Sequence, residues 1–274
     1  MRLRWLLVVA LIASGVLFTT VLRDRSPVRS EYCMAKVGTT AAQVDLEQAR
    51  WASLMAAISL RRGLPPRATT IAIATAFQES KVHNIDYGDR DSIGLFQQRP
   101  SQGWGAPEQI RDPHYSIGKF YDGLVTVKDY ASLEITDAAQ KVQRSAHPGA
   151  YAQHEGYARS LASSLTGYSP ASFNCQINPT QGGSADTVDK SVQDAFGKTA
   201  MSSTKDALAY PLNGSPANQQ ARGWALAQYL VANASHLKIA SISFAGRMWT
   251  AVDSPAGWVK DPKSDANTVR ARMN

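Results

Sequence analysis

The stretch ATTIAIATAF, residues 68–77, is apolar nearly all round when wound as a helix. A helix with no polar side cannot lie on a surface, so it predicts the central strut of a helical layer. Pro66 suits the first turn of that helix, where its missing N–H costs nothing. The helix is expected to run to about Ser80. It therefore ends on a carboxylate, Glu79, in the last turn, where the helix dipole disfavours negative charge. A polar segment, KVHNIDYGDRDS, follows, and then the short word Gly94-Leu95-Phe96-Gln97.

The flanking sequence supplies partners for this strut. Thr40-Ala-Ala-Gln43 fits a capping box and predicts a helix to about Arg62, ended by Gly63 and Pro65-Pro66. Further helices are expected over Tyr115–Tyr130, Thr136–Ser145 and Tyr151–Ser164, punctuated by Asp112-Pro113 and His147-Pro148-Gly149. No alternating strand is legible before Cys175. Past NPTQGGSADT the texture changes: a helix at about Gln219–Ala234 leads into IASISF, Ile239–Phe244, which alternates like a strand. The expected fold is mainly α over residues 31–176, a linker over 177–187, and a small α/β domain over 188–274.

The N-terminus bears on location. Arg2 and Arg4 precede WLLVVALIASGVLFTTVL, residues 5–22, an uncharged run closed by Arg23, Asp24 and Arg25. As a helix it would reach about 27 Å, just enough to cross a hydrocarbon core. A cleaved signal peptide competes, but the small residues Ala10 to Gly15 lie mid-run rather than after it. Residues 1–25 are thus read as an anchor or signal. The expected location is the cell membrane, single-pass, with the soluble domains extracellular, or secreted if the segment is cleaved. Two cysteines in a chain so placed, Cys33 and Cys175, read as one disulfide closing a loop of about 140 residues.

A carboxyl beside apolar walls at a helix C-terminus is pushed toward its protonated form, which suits it to protonate a glycosidic oxygen. The loop after Glu79 is rich in side chains that hydrogen-bond sugars: Asn84, Tyr87, Asp89, Ser92, Gln97 and Gln98. Glu79-Ser80 followed by Gly94-Leu95-Phe96-Gln97, with fifteen residues from Glu to Gly and Ser92 ahead of the Gly, resembles the "ES … GLMQ" signature of lytic transglycosylases and goose-type lysozymes. The fuller NIDYGDRDSIGLFQQRPSQGWG resembles a group of exported actinobacterial lysozyme-like proteins. The resemblance covers about residues 40–170 and implies a lysozyme-like helical domain acting on peptidoglycan glycan strands.

It further implies Glu79 as general acid and then base, with Gln97 and the backbone near Ser92 and Gly94 as ligands of sugar N-acetyl groups. Phe96 takes the place of the family's Met at the cleft floor. The family's later "AYNAG" motif is absent. The region reads AAQKVQRSAHPGAYAQHEGYA, which offers Gln143 or Tyr151 in its stead. An inverting hydrolase needs a second carboxylate about 6.5–9.5 Å from the acid. Asp86, Asp89 and Asp91 are candidates, and each reads equally as a turn residue near Gly88. With none poised, the substrate's own hydroxyl completes the reaction as in lytic transglycosylases, with a 1,6-anhydro product, and the resemblance to that family leans this way.

Other chemistries find little support. His83, His114, His147, His154 and His236 show no metal-ligand spacing, and no cofactor is expected. The formal net charge of +7 would suit an anionic polymer, but the basic residues are scattered without a nucleic-acid patch. The C-terminal GWALAQYLVANA … ISFAGRMW … GW is similar to a module of exported actinobacterial cell-wall proteins. It lacks an HPxGxAxD-type patch and is read as non-catalytic. The expected partners are peptidoglycan and, through residues 1–25, the membrane. The rival expectation is a catalytically silent wall-binding or envelope scaffold protein that keeps the lysozyme-like fold.

Overall fold

Gly38 and Thr39 turn the chain back on itself, so that β1 (Tyr32–Val37) and β2 (Thr40–Val44) pair as an antiparallel hairpin with Val37 opposite Thr40. A two-residue connection of this kind favours positive φ, and Gly38 has φ 59°. The computed structural model describes residues 30–143, 151–179 and 181–273. β3 (Phe173–Gln176) pairs with the other edge of β1, placing Cys33 opposite Cys175, and the two form a disulfide.

The hairpin corrects the expected capping box at Thr40–Gln43, which lies in β2. The box that exists is further on: Gln48 N donates to Asp45 Oδ1 at 2.8 Å and Asp45 N to Gln48 Oε1 at 2.9 Å. It opens α1 (Leu46–Arg61). α2 (Pro66–Ser80) is buried without a break from Ala68 to Ala76. Two of its threonines fit the core by bonding backward along the helix, Thr70 Oγ1 to Pro66 O at 3.2 Å and Thr75 Oγ1 to Ile71 O at 2.8 Å. Around α2 pack α1, α4 (Pro113–Thr126), α5 (Ile135–Gln143) and α6 (Glu155–Leu165), with the short α3 (Pro107–Ile110) leading into α4.

The C-terminal part comprises α7 (Ala185–Phe196), β4 (Ser202–Thr204), β5 (Ala207–Pro211), α8 (Pro216–Ala232), α9 (Ala234–Leu237), β6 (Ile239–Phe244), β7 (Arg247–Thr250), β8 (Val259–Lys260) and β9 (Thr268–Met273). Its strands form one antiparallel sheet of order β4-β5-β9-β6-β7-β8. α8 lies against β6 closely enough that a Cβ on Gly223 would come within 2.1 Å of Phe244 Cζ. Trp224, on α8, meets Phe244 and Trp258 edge-on at 5.3 and 5.1 Å.

The expected mainly α class is therefore corrected. Of the described residues, helix takes 47% and strand 18%, and a six-stranded sheet fills the C-terminal region. The signal was short-range alternation, as in β9, where Val269, Ala271 and Met273 are buried and Arg270 and Arg272 point out. Residues Glu31–Asn274 form one compact unit. Its inner seam is polar: fully buried Gln228, on α8, donates to Ser164 O at 2.5 Å and accepts from Ser172 N and Phe173 N at 3.0 and 2.8 Å. Trp258 Nε1 donates to Phe173 O at 2.9 Å.

The expected single-pass membrane location is also corrected. Residues 1–25, on which it rested, lie outside the described residues, and among the described residues no helix is long and apolar enough to cross a membrane. α8, the longest at 17 residues, carries Gln219, Gln220 and Arg222 and falls short of the roughly 20 apolar residues a span needs.

Candidate active site

The end of α2 is turned abruptly. Lys81 and Val82 both have positive φ, 57° and 60°, and Val82 N reaches back to Ala76 O at 3.0 Å. Positive φ is costly for a β-branched residue, on the order of 1–3 kcal/mol. The turn holds because Val82 is fully buried and the surrounding bonds over-determine it. Gln48 Nε2 donates to Lys81 O at 2.8 Å, and Glu47 Oε1 accepts from Asn84 N at 3.1 Å. Glu79 and Ser80 are thereby held at a sharp corner, and the polar loop is laid back across the helix end.

Ser80 and Leu95 explain the fixed distance between the two halves of the motif. Ser80 Oγ, buried, donates to Leu95 O at 2.8 Å. The loop is closed on itself by Ile93 and Gln98, which exchange backbone bonds at 3.0 Å in both directions, and by Gly94 N donating to Ile85 O at 2.7 Å. Gly94 has φ 79°, and a Cβ there would lie 3.1 Å from Ile110 O. Gly88 is required by close approach, since its Cβ would sit 1.9 Å from Gln97 Oε1 and 2.6 Å from Ser92 O.

On the other side of the corner stands Tyr151. It is 1% exposed, and its Oη donates to Glu79 Oε1 at 2.8 Å. Gln143 Nε2 donates to Phe96 O at 2.7 Å, so both residues offered in place of the absent motif are engaged, one on Glu79 and one on the loop. Gln78, and His154, set aside in the sequence as a histidine without metal-ligand spacing, flank this pair: His154 stacks on Phe77 with centroids 5.8 Å apart, and its Nε2 is 3.2 Å from Gln78 Oε1. Burial, and then the Lys81 charge, push the His154 pKa below its ordinary value. Gln78 precedes Glu79 and His154 lies three residues after Tyr151, and that proximity was the available signal.

The remaining expected residues are placed as follows. The Phe96 ring is fully buried and stacks on Phe120 with centroids 4.4 Å apart, supporting the loop from beneath. Ser92 is buried and its N–H donates to Asp89 O, so the N–H groups of Ser92 and Gly94 are both used within the loop. Gln97 Nε2 donates to Tyr87 O at 3.2 Å. Asp91 accepts from Arg99 Nε at 2.7 Å and Ser101 N at 2.8 Å. The Ser101 N–H, and then Arg99, hold its carboxyl far below the usual carboxylate range. Asp89 is open to solvent, 4.0 Å from Arg90 Nε. Asp86 lines a concavity of about 680 Å³ with Asn84, Tyr87, Glu108, Arg111 and Asp112, and Glu79 is not part of that lining. Among the described residues no group of three His, Cys, Asp or Glu could hold a metal ion.

A family model described as VldE, C-terminal domain, matches residues 204–271. The matched span takes in β5, α8, α9, β6 to β8 and most of β9, and does not include the residues of the Glu79 corner. No curated protein matches the chain.

Proposed function

We propose that the chain cleaves the glycan strands of peptidoglycan, with Glu79 as the group that gives and retakes the proton. The observation that carries this reading is the corner itself. A carboxylate ends a buried helix, bonds a buried tyrosine at 2.8 Å, and is tied through its neighbour Ser80 to the Gly-Leu-Phe-Gln loop. In the reaction, the Glu79 carboxyl protonates the leaving glycosidic oxygen as its bond to C1 breaks. The resulting carboxylate then takes the proton of the attacking hydroxyl.

A lytic course fits better than hydrolysis. Asp91 is committed to Arg99 and Ser101, Asp89 faces solvent, and Asp86 belongs to the separate concavity. The substrate's own C6 hydroxyl then attacks C1, giving the 1,6-anhydro product. A second reading, a silent wall-binding or envelope scaffold, is favoured by the loop's own bonding, because the Ser92 and Gly94 N–H groups and the Gln97 amide are spent internally. Glu79→Gln separates the two. It keeps shape and hydrogen-bond reach but cannot move the proton, so the enzyme reading expects it to fold, sediment with peptidoglycan and release almost nothing soluble. Equal release by wild type and variant would leave only the scaffold.

A further inference from the structure

A second concavity, of about 670 Å³, opens where the end of α1 meets the segment after α7 and the start of α8. Its lining holds three cationic side chains, Arg61, Lys198 and Arg222, and no carboxylate. Among the described residues, none of the three forms an ion pair. Two acids on α7 do not line the cavity: Asp194 pairs with Lys190 at 2.9 Å, and Asp189 accepts from Gln193 and from the lining residue Tyr210.

Arg61 is fixed in advance. Its Nη1 donates to Asp194 O at 2.8 Å, and its stem runs past Gly197, where a Cβ would lie 3.3 Å from Arg61 Cδ. Phe196, Leu212 and Leu226 give the cavity apolar walls. Three like charges around one concavity with no carboxylate set up a positive potential that favours a bound anion. Guanidinium forks match carboxylate and phosphate oxygens two at a time.

We propose that this cleft binds a small ligand carrying two or more oxyanionic groups, carboxylate or phosphate. The site is separate from Glu79 and does not depend on the glycan-cleavage reading. The test is calorimetric titration of the full chain with tricarballylate, pyrophosphate and, as a neutral control, N-acetylglucosamine. At least one anion should bind saturably at one per chain, more weakly as salt rises. The anion that binds tells carboxylate from phosphate chemistry. Arg61→Ala and Arg222→Ala should each weaken binding about tenfold or more. Lys263→Ala, an exposed change outside the cavity, should leave affinity unaltered. Arg222 is exposed on α8, so its variant tests the site even if Arg61→Ala disturbs the Asp194 contact. Failure of both anions to bind saturably would overturn the proposal, and so would equal weakening by Lys263→Ala.

Discussion

Glu79 and Tyr151 meet at 2.8 Å across a chain separation of 72 residues, and the phenol donates to the carboxylate. Tyr151→Phe keeps the buried ring and deletes only the donor. A hydrogen bond contributes about 0.5–1.5 kcal/mol net, so fragment release should fall roughly two- to tenfold while thermal stability changes little. An unchanged rate would remove Tyr151 from the site. Asp91 behaves differently, as a loop clasp. Its folded pKa is depressed by Ser101 and Arg99, so its contribution to stability is present above the unfolded value of about 3.9 and is lost as pH falls through the lower folded value. Melting temperatures of wild type and Asp91→Asn should therefore differ at pH 6 and draw together below about pH 4. A constant gap would show that the carboxylate's charge is not what holds the loop.

At the scale of elements, α1, α2, α4, α5, α6 and α8 announced themselves by an apolar face or by proline punctuation, whereas α7 and the one-turn α3 and α9 went unread. α2 was legible from ATTIAIATAF, and α4 begins at the Pro113 that the Asp112-Pro113 signal marked. The hairpin was not, because Ala41, Ala42 and Gln43 are as acceptable in a helix as in a strand, and β1 pairs with β3 across a separation of 142 residues at Cys33 and Cys175. In the six-stranded sheet, β4 is fully exposed and β8 is two residues long, so neither offers an apolar period to read. The site was half legible. Glu79 and the loop stood out by residue type, whereas the commitment of Asp91 and of the Ser92 and Gly94 N–H groups depends on how the loop folds onto itself. Ser80 joins the two halves, and its bond to Leu95 is buried. Ser80→Ala leaves that carbonyl unpartnered by the hydroxyl and should cost about 1–3 kcal/mol in chemical denaturation. A loss too small to measure would mean the loop is held by its other bonds.

At the scale of the molecule, the helical layer and the sheet meet through α8, with Gln228 buried between Ser164 and β3 and Trp258 bonded to Phe173. A shared seam of this kind predicts one unfolding transition. Tryptophan fluorescence and circular dichroism should give coincident denaturation curves, whereas two separated transitions would show that the halves fold apart. The disulfide closes the unit from its N-terminal side, across a separation of 142 residues. Thiol labelling of the unreduced, denatured chain should find no free cysteine, and Cys33→Ala with Cys175→Ala should lower stability by up to about 5 kcal/mol. None of these outcomes bears on the chemistry, which is decided by one measurement. Purified peptidoglycan is incubated with wild type and with Glu79→Gln, and the soluble fraction is analysed by mass spectrometry. Wild type should release fragments ending in a 1,6-anhydro sugar, and Glu79→Gln should release on the order of 10²–10⁴-fold less while sedimenting equally with the polymer. Identical release from both, including none, would contradict the account.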